Sequence, residues 1–350
     1  MNKILKEDFE LILSSYGVEF EKLHNAKILI TGAYGMITSY LTEFLAYIAK
    51  DFNIELYLQC RNEKKAMHVF RQHVEEDFFH ILTFDFERGE IPNIDIDYII
   101  HAASPASTKA FVETPVDVIS PNVIGTWNLL QYAKKKKVKK FLLCSSNSIY
   151  GEGGIEKTVL TEKDYGIVDP LNERSSYIES KRIAEQMCVA FSKQYEVKTS
   201  IIRICHTYGP TFDIENDSRI IPRVIKQILN GEDVVIYRDP NSVIQYTYIA
   251  DMISAIMLVC LNGEVGVAYN SGGNEIVKMD DVITWMVNAE SSIKSKLIEK
   301  EIDGNYNFSK GKGVNFVKLD NSKLRELGWK QIFNNEEGFS RTVKAYFNKC

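Results

Sequence analysis

Long apolar runs are missing from this chain of 350 residues. No segment approaches the roughly 18 consecutive apolar residues of a membrane-spanning helix. Residues 1–25 alternate charged and apolar side chains, so they lack the continuous hydrophobic region of a signal peptide. We therefore expect a cytoplasmic protein with no membrane partner, in which residues 1–25 form an amphipathic helical extension before the main fold.

Paired cysteines, zinc-type spacings and an excess of positive charge are missing as well. The six cysteines include no CxxC pair, which indicates reduced thiols, and His68, His73 and His80 match no usual zinc pattern. The net charge is -5, and the basic run at 134–140 falls where a helix should end, where cations complement the helix dipole. These observations predict neither a metal site nor a nucleic-acid partner.

An alternation of short apolar runs with amphipathic stretches is present from Lys27 onward. It predicts an α/β fold, with six or seven parallel strands in a doubly wound, Rossmann-type sheet over residues 26–204. Beyond Cys205 the alternation becomes irregular, with glycine and proline clusters at YGP, RDPN and SGGN. We expect residues 205–350 to form mainly a smaller substrate-binding lobe, with some segments returning to the first domain.

The stretch TGAYGMIT at 31–38 follows the first predicted strand and opens a helix, which is the context of a dinucleotide-binding turn. Gly32 permits the tight turn, and Gly35 lets backbone amides approach a pyrophosphate at the helix N-terminus. Thr38 stands where a third glycine is expected, so the helix is expected slightly farther from the sheet. The expected cofactor contacts of this turn are Gly32, Tyr34, Gly35, Met36 and Ile37.

The second predicted strand ends Gln59-Cys60-Arg61-Asn62, without the acidic residue that normally accepts the ribose 2′-hydroxyl. Arg61 could instead meet a 2′-phosphate, with Lys64 and Lys65 nearby. The cofactor is therefore predicted as NAD or NADP, with the choice open. An alternative interpretation is that these cations are solvated and only begin a surface helix.

Tyr177 and Lys181 lie four residues apart in YIESK, so that they share one face of a predicted helix. A nearby ammonium favours the phenolate form of tyrosine, which can then act as a general base toward a substrate hydroxyl. The preceding strand ends in SSNSIYG, which places Ser146 and Ser148 at the carboxyl edge of the sheet, where ligands bind. Either serine could hold the substrate oxygen while Tyr177 takes its proton.

In this order of motifs the chain resembles the extended short-chain dehydrogenase/reductases, and among them the NAD-dependent nucleotide-sugar epimerases, dehydratases and decarboxylases. The resemblance runs from about Lys27 to the C-terminus. Its motifs are TGAYGMI, Asp85-Phe86, HAAS, NVIGT, SSNSIYG, YIESK, RICHTYGP and LDNSKLRELGW. The segments HAASPAS and RSSYIESKRIAE are most similar to UDP-glucuronate decarboxylases.

The resemblance implies a role for each matching residue. The implied catalytic triad is Ser146, Tyr177 and Lys181, with Lys181 also touching the nicotinamide ribose. The implied cofactor contacts, besides the glycine turn and Arg61, are Asp85 and Phe86 at the adenine, and Ala102, Ala103, Ser104 and Asn122 along the cofactor channel. The implied substrate contacts are Ser107, Asn147, Ser148 and His206. Arg219 and Arg223 are further candidate substrate contacts, as the nearest basic residues in the sequence rather than as positions of the family pattern.

The chain departs from the family pattern in three places, the first of which spans two positions. Asn147 and Ser148 stand where the dehydratases and decarboxylases carry acidic residues, so the hydroxyl pair is more similar to the epimerases. His206 replaces the usual asparagine, either as a simple hydrogen-bonding substitute or as an added titratable group. Ile244 replaces an arginine that clamps the diphosphate. Either another basic residue binds the diphosphate instead, with Arg223 and to a lesser degree Arg219 expected to do so, or the leaving group of the substrate is not a conventional nucleoside diphosphate.

The resemblance and the residues together predict an epimerase that acts on a nucleotide sugar through a transient keto-sugar, in the synthesis of surface polysaccharide precursors. A UDP-glucuronate decarboxylase-like lyase and an NADPH-dependent keto-sugar reductase remain alternatives, as does a non-catalytic protein that has kept the fold. We also expect a homodimer built on helices at 122–136 and 175–192, because both carry more apolar residues than one core-facing stripe needs.

Overall fold

Parallel strands form the centre of the molecule. The computed structural model describes residues 1–151, 157–217, 219–237, 243–290, 292–300 and 318–347. The strands are β1 Lys27–Thr31, β2 Glu55–Cys60, β3 Phe79–Thr83, β4 Tyr98–His101, β5 Lys140–Ser146, β6 Val159–Leu160, β7 Thr199–Ile204, β8 His206–Tyr208, β9 Val234–Tyr237, β10 Val243–Ile244, β11 Tyr246–Tyr248, β12 Val267–Ser271, β13 Val277–Lys278, β14 Leu297–Lys300 and β15 Lys318–Leu319.

Helices alternate with these strands over the first two hundred or so residues. The α-helices are α1 Lys3–Phe20, α2 Met36–Phe52, α3 Glu63–Val69, α4 Thr108–Glu113, α5 Pro115–Ser120, α6 Thr126–Lys136, α7 Ser175–Tyr195, α8 Ile220–Leu229, α9 Ile249–Asn262, α10 Met279–Val287, α11 Ser322–Glu326 and α12 Asn335–Phe347. Pro121–Gly125 forms one π-helical turn between α5 and α6. Among the described helices, none combines the length and apolarity needed to cross a membrane.

Seven strands form one sheet in the order β12-β7-β5-β4-β1-β2-β3, and every neighbouring pair is parallel. The predicted Rossmann-type α/β fold is thereby confirmed. The order reverses between β1 and β4, so the connections that leave these two strands diverge to opposite sides. The carboxyl ends of β1 and β4 therefore border the crevice in which such sheets bind ligands.

Each face of the sheet has its own core, as the period-two alternation of strand side chains requires. Ile28 and Ile30 of β1 lie in a large cluster that includes residues of α1, α2 and α9. Leu29 lies in the other cluster, with residues of α6 and α7. The sheet is thus covered by helices on both sides, which explains why its strands are apolar throughout rather than alternating.

The chain after Cys205 contributes to both parts of the molecule. Helix α9 packs on β5 and β7, and β12 pairs with β7 at the edge of the main sheet. The remaining described segments build small two-stranded sheets and the helices α8, α10 and α12, which contact one another. The RDPN cluster at 238–241 and Cys350 lie outside the described residues.

Helix α1 is an integral part of the core. Phe9, Ile12 and Phe20 on this helix are completely buried, and the helix contacts α9 and α12. Asp8 on the same buried face accepts hydrogen bonds from Tyr40 of α2 at 2.6 Å and from Arg341 of α12 at 2.7 Å. The helix thus connects distant parts of the chain rather than simply preceding them.

Candidate active site

The glycine turn at the carboxyl end of β1 approaches the loop after β4 very closely. Gly32 has φ +67°, and a Cβ atom there would lie 2.8 Å from Cα of Ala103, so both the conformation and the space require glycine. Gly35 begins α2 without a side-chain cap, which leaves the N–H groups of the first turn available. This arrangement fits the pyrophosphate of a dinucleotide at the helix N-terminus.

Thr38, which replaces the third glycine, stabilises this turn. Its hydroxyl donates to the carbonyl oxygen of Gly32 at 2.6 Å and lies 3.2 Å from that of Gly35. The side chain is buried, so it closes the turn from the helix side without protruding into the crevice. The Thr38 side chain thus fills the space that a third glycine would leave open, and its hydroxyl is hydrogen-bonded to the turn.

Thr31 and His101, which the sequence argument did not single out, hold the ends of β1 and β4 together. The Thr31 hydroxyl accepts from the backbone N–H groups of Ala102 and Ala103 at 3.2 and 3.3 Å. His101 Nδ1 lies 2.8 Å from the same hydroxyl, and its Nε2 lies 3.0 Å from the hydroxyl of Thr126. Burial, with Lys181 as a second cause, lowers the pKa of His101 to about 3, so this histidine is a neutral structural link.

Asn122 connects the loop after β4 to α7. It lies in the π-helical turn and shares its two N–H donors among Ser104 Oγ, the carbonyl oxygen of Val118 and Ser180 Oγ, at 2.9 to 3.1 Å. Its side-chain oxygen is buried and has no partner among the described residues. A π-helical turn is often found at functional sites, and here it brings Ser104 next to the helix that carries Lys181.

Asp85 and Phe86 follow β3 at the far side of the glycine turn. Asp85 accepts a hydrogen bond from the backbone N–H of Glu87 at 3.0 Å and pairs with Arg88 at 3.3 Å. Phe86 is buried, and a Cβ atom on Gly125 would lie 2.4 Å from its ring. The Asp85 side chain is accessible for a ligand, whereas Phe86 mainly fills the core.

Arg61 is exposed directly after β2 and makes no hydrogen bond or ion pair with the described part of the chain. The neighbouring Lys65 places its ammonium 5.2 Å from the ring centre of Tyr34, which belongs to the glycine turn. No carboxylate stands at the end of β2. The buried Gln59 there accepts a hydrogen bond from the N–H of Gly32 and donates one to the carbonyl oxygen of Phe84. The cationic side chains therefore border the cofactor crevice without an acidic partner there.

The Arg61→Ala variant tests the cofactor prediction. We expect its affinity for NADP to fall at least about tenfold, because a 2′-phosphate contact is a charge-assisted hydrogen bond. Its affinity for NAD should stay within about twofold of the parent value, since a solvated arginine contributes little. Calorimetric titration of both dinucleotides measures this, and equal, small effects would remove Arg61 from the site.

Ser146, Tyr177 and Lys181 come together where β5 ends beside the start of α7. Ser146 is close enough to Tyr177 to affect its pKa, and the Ser146 hydroxyl lies 3.2 Å from Ser148 Oγ and 3.3 Å from Asn147 Oδ1. Lys181 donates from Nζ to the carbonyl oxygen of Cys144 at 2.8 Å, with Nζ 5.9 Å from the centre of the Tyr177 ring. The structure thus assembles a phenol, an ammonium and a cluster of small polar groups at the carboxyl edge of the sheet.

Burial sets the protonation of this cluster. It raises the pKa of Tyr177, an effect that the hydrogen bond from Ser146 partly offsets. It lowers the pKa of Lys181 to about 8, against the opposing effects of Cys144, Glu185 and Cys188. Tyr177 is therefore a neutral phenol in the protein alone, and a further positive charge near the ring is needed to favour the phenolate. The oxidised nicotinamide ring carries such a charge.

Phe111 is a neighbour of the triad that sequence reasoning missed. Its ring stacks on that of Tyr177, with centroids 4.6 Å apart and planes inclined by 16°. Phe111 lies on α4, whose N-terminus is capped by Ser107 through a hydrogen bond from Ala110 N at 3.2 Å. The Ser107 side chain is thus engaged in capping, on an exposed loop, while Phe111 covers one face of the phenol.

His206, Arg219 and Tyr246 form a second group on the lobe side. His206 begins β8 and pairs in register with Tyr246 of β11, the two rings meeting edge to face at 6.1 Å. The side chain of His206 is solvent-accessible. Desolvation by the atoms packed around the ring, and secondly the Arg219 charge, nevertheless lower the pKa of His206. Arg219 is held by Asp217, with the nearest atoms 2.5 Å apart, and its guanidinium lies over the Phe212 ring at 5.2 Å.

Arg223 lies exposed on α8 and makes no ion pair with the described residues, and Ile244 pairs with Val277 in a short antiparallel ladder. Of the two arginines that could replace the missing clamp, Arg219 is therefore the one next to His206. We therefore propose that Arg219 contributes more to diphosphate binding than Arg223, whereas the order expected from the sequence was the reverse.

Replacing the two arginines separately tests that order. Arg219→Ala should raise KM for a diphosphate-bearing substrate at least about tenfold, which is about 1.4 kcal/mol of lost binding, whereas Arg223→Ala should have a smaller effect. Asp217→Asn is a matched variant, because it frees the Arg219 charge and should lower KM. If neither arginine nor the double variant affects KM, the diphosphate is bound elsewhere or the substrate lacks one.

This chain is similar over most of its length to several known proteins. The model of a family described as "NAD dependent epimerase/dehydratase family" matches residues 28–272. UDP-glucuronic acid decarboxylase 1 of Xenopus tropicalis is 29% identical over 327 residues, which cover 92% of this chain and 72% of that protein. UDP-glucuronic acid decarboxylase 5 of Arabidopsis thaliana is 29% identical over 317 residues, covering 90% and 87%.

Solved structures share the fold at lower identity. UDP-glucose 4-epimerase from Thermotoga maritima, solved with UDP-glucose, is 22% identical with a TM-score of 0.76, covering 92% of this chain and 99% of that one. UDP-glucuronic acid 4-epimerase from Bacillus cereus, solved in complex with NAD, is 22% identical with a TM-score of 0.69, covering 91% and 96%. These likenesses extend over nearly the whole chain and concern its architecture.

Proposed function

Because this chain belongs to the NAD-dependent epimerase/dehydratase family, we propose that it is a nucleotide-sugar epimerase that works through a transient keto-sugar. The observation that carries the proposal is the cluster of Ser146, Tyr177 and Lys181. The two residues after Ser146 carry an amide, Asn147, and a hydroxyl, Ser148. This cluster can move a proton to and from a sugar hydroxyl, and it offers no carboxylate at the positions next to Ser146.

The glycine turn, the first turn of α2 and Asn122 would hold the cofactor, with Asp85, Ala102, Ala103 and Ser104 along the crevice. The fit rests on the forced glycine at Gly32, the uncapped start of α2 and the unpartnered oxygen of Asn122. Bound NAD supplies a reversible acceptor for the hydride of a sugar carbon.

The side chains of this protein supply the proton transfer. Tyr177 accepts the proton of the sugar hydroxyl, while Ser146 and Ser148 orient that oxygen through hydrogen bonds. Lys181, fixed by the carbonyl oxygen of Cys144, stabilises the phenolate through its charge. When the sugar is reduced again, Tyr177 returns the proton, so that neither the protein nor the overall reaction gains or loses electrons.

Dehydration would need more than this cluster contains. Elimination of water requires an acid for the leaving hydroxyl and a base for a carbon-bound proton, and the positions that carry such groups in dehydratases are here Asn147 and Ser148. An amide and an aliphatic alcohol do not titrate in the useful pH range. The proposal is therefore for inversion of a stereocentre rather than loss of water.

A decarboxylase-like activity is the second candidate, and the similarity to UDP-glucuronic acid decarboxylases favours it. When the hydroxyl β to a carboxylate is oxidised to a ketone, the resulting β-keto acid loses carbon dioxide readily. Such a step needs little assistance from an acidic side chain, so Ser148 does not contradict it. The substrate then decides between these two activities, because only a uronic acid has a carboxylate to lose.

A panel of nucleotide sugars separates these activities. The protein with NAD is incubated with UDP-glucose, UDP-N-acetylglucosamine, UDP-glucuronic acid and dTDP-glucose, and products are followed by proton NMR. Interconversion of epimers without net NADH supports the proposal, and release of carbon dioxide with a pentose product supports the second candidate. Steady consumption of NADPH with a keto-sugar would instead identify a reductase. If no nucleotide sugar is converted, the proposal is wrong.

We also propose a homodimer, because α5 to α7 present a continuous set of exposed apolar side chains. Ile119, Ile124, Trp127 and Ile183 are 40–50% exposed.

Light scattering is expected to give twice the chain mass of 40.0 kDa, and Ile183→Asp should shift it toward the monomer. Val18→Asp, on an exposed apolar residue of α1, is the control that should leave the mass unchanged. A parent protein of 40 kDa at micromolar concentration would refute the dimer.

A further inference from the structure

A buried ion pair lies directly behind the proposed triad. Arg203 of β7 donates from Nη2 to Glu185 Oε2 at 2.8 Å and from Nε to Oε1 at 3.1 Å, and the two side chains are only 4% and 12% exposed. Ser145 donates its hydroxyl to Glu185 Oε1 at 2.6 Å. Side chains from two strands, β5 and β7, thus fix the orientation of the Glu185 carboxylate.

The same arginine continues the network away from the triad. Its Nη1 donates to the hydroxyl of Tyr150 at 2.9 Å and to the carbonyl oxygen of Glu162 at 3.1 Å. Tyr150 in turn donates to Asn270 of β12 at 2.6 Å. A buried ion pair is weak evidence for stability, because well-packed apolar residues often serve equally well in its place. Its position therefore suggests a role in the site.

The geometry connects Glu185 to two members of the triad. Glu185 follows Lys181 by one turn of α7, as Lys181 follows Tyr177, so all three lie on one face of the helix. Ser145 precedes Ser146 on β5, and it lies opposite Arg203 in the register of the sheet. The ion pair thus contacts the strand end that carries Ser146 and faces the helix turn that carries Lys181.

The other groups around Lys181 are neutral. Burial raises the pKa of Cys144 to about 12, raises that of Cys188 further and lowers that of His101 to about 3. Tyr177 is a neutral phenol for the same reason. Arg203 is paired with Glu185. The charged side chains of the neighbouring α4 and α5 are exposed to solvent; they are Lys109, Glu113 and Asp117. Glu185 is therefore the negative charge, among the described residues, that stabilises the Lys181 ammonium against its burial.

We propose that Glu185 is a positioning residue of this site: its carboxylate keeps Lys181 charged and, through Ser145, fixes the strand end that presents Ser146. Arg203 orients that carboxylate. The inference rests on the proposed role of Lys181 in the reaction. It also concerns a property of the protein alone, since the charge of Lys181 can be measured without substrate.

The test is the pKa of Lys181 in the cofactor-free protein, measured by NMR with ¹³C-labelled lysine and assigned through Lys181→Arg. Glu185→Gln should lower that pKa by about one pH unit, because a nearby carboxylate is lost from a site of low dielectric. Arg203→Met should not lower it, because the carboxylate remains. Ser145→Ala removes the hydrogen bond between β5 and Glu185 without a change of charge. The pKa of Lys181 should therefore stay within about 0.3 unit of the parent value.

Two results would overturn the proposal. The first is an unchanged Lys181 pKa in Glu185→Gln, and the second is an equal fall in Arg203→Met, which would indicate general loosening of the helix. Should either single variant fail to fold, Glu185→Gln with Arg203→Met leaves no buried unpaired charge and should still lower the Lys181 pKa, by less than Glu185→Gln because the positive charge of Arg203 is removed as well. With an identified substrate, the alkaline limb of kcat should move in parallel. The kcat measurement depends on the proposed function being right, whereas the NMR measurement of the Lys181 pKa does not.

Discussion

Replacing Tyr177 by phenylalanine should reduce turnover by about 10²- to 10⁴-fold, which is the usual contribution of a general base. Only the proton-transfer group is lost, because phenylalanine keeps the ring that stacks on Phe111. The interaction of the phenol with Ser146 is lost with the hydroxyl. The measurement is the initial rate of product formation by NMR with the substrate that the panel identifies.

Binding of the dinucleotide distinguishes this effect from misfolding. The affinity of Tyr177→Phe for NAD, measured by calorimetry, should stay within about threefold of the parent value, because the turn around Gly32 is untouched. Tyr165→Phe is the matched control, since Tyr165 is 70% exposed in the same region and should retain full activity. Activity above about a tenth of the parent rate in Tyr177→Phe would contradict the proposed mechanism.

Replacing Asp8 by alanine should lower the free energy of unfolding by about 3–5 kcal/mol, the usual effect of breaking a buried ion pair. Asp8 is fully buried and accepts hydrogen bonds from the hydroxyls of Tyr40 and Tyr248, both at 2.6 Å, and from Arg341 Nε at 2.7 Å. Alanine leaves all three donors without this acceptor. Urea denaturation followed by circular dichroism measures the loss.

Glu7→Ala serves as the control for Asp8, because Glu7 also pairs with Arg341 but its side chain is 39% exposed. Its removal should cost less than about 1 kcal/mol, as is usual for pairs in contact with solvent. A similarly small loss in Asp8→Ala would show that the buried ion pair of Asp8 with Arg341 contributes little to the stability of the fold.

Local sequence patterns were sufficient for the alternating strands and helices of the main sheet and for the glycine turn after β1. KILIT and DYIIHAAS became β1 and β4 because apolar runs of that length are stable only between two helix layers. The glycine turn followed from Gly32, which tolerates the positive φ. The spacing of Tyr177 and Lys181 placed them on one face of α7, because helix geometry depends on neighbours in the chain alone.

Contacts between distant segments were decided by the tertiary structure. The sequence indicated an amphipathic helix at the N-terminus but not that Asp8 would meet Arg341, 333 residues away. The stack of Phe111 on Tyr177 and the pairing of Arg203 with Glu185 likewise depend on how α4 and β7 pack against α7. Arg219 lies next to His206 for the same reason, whereas its spacing from Arg223 suggested that both would face the ligand.

The chain alone thus determined which residues could carry the chemistry, since periodicity and turn geometry are local properties. The tertiary structure decided which of them meet and how they are charged. A pKa depends on burial and on neighbours from other elements, as the neutral Tyr177 and the lowered pKa of Lys181 show. The packing of distant segments brings such neighbours together, and a short stretch of sequence does not specify that packing.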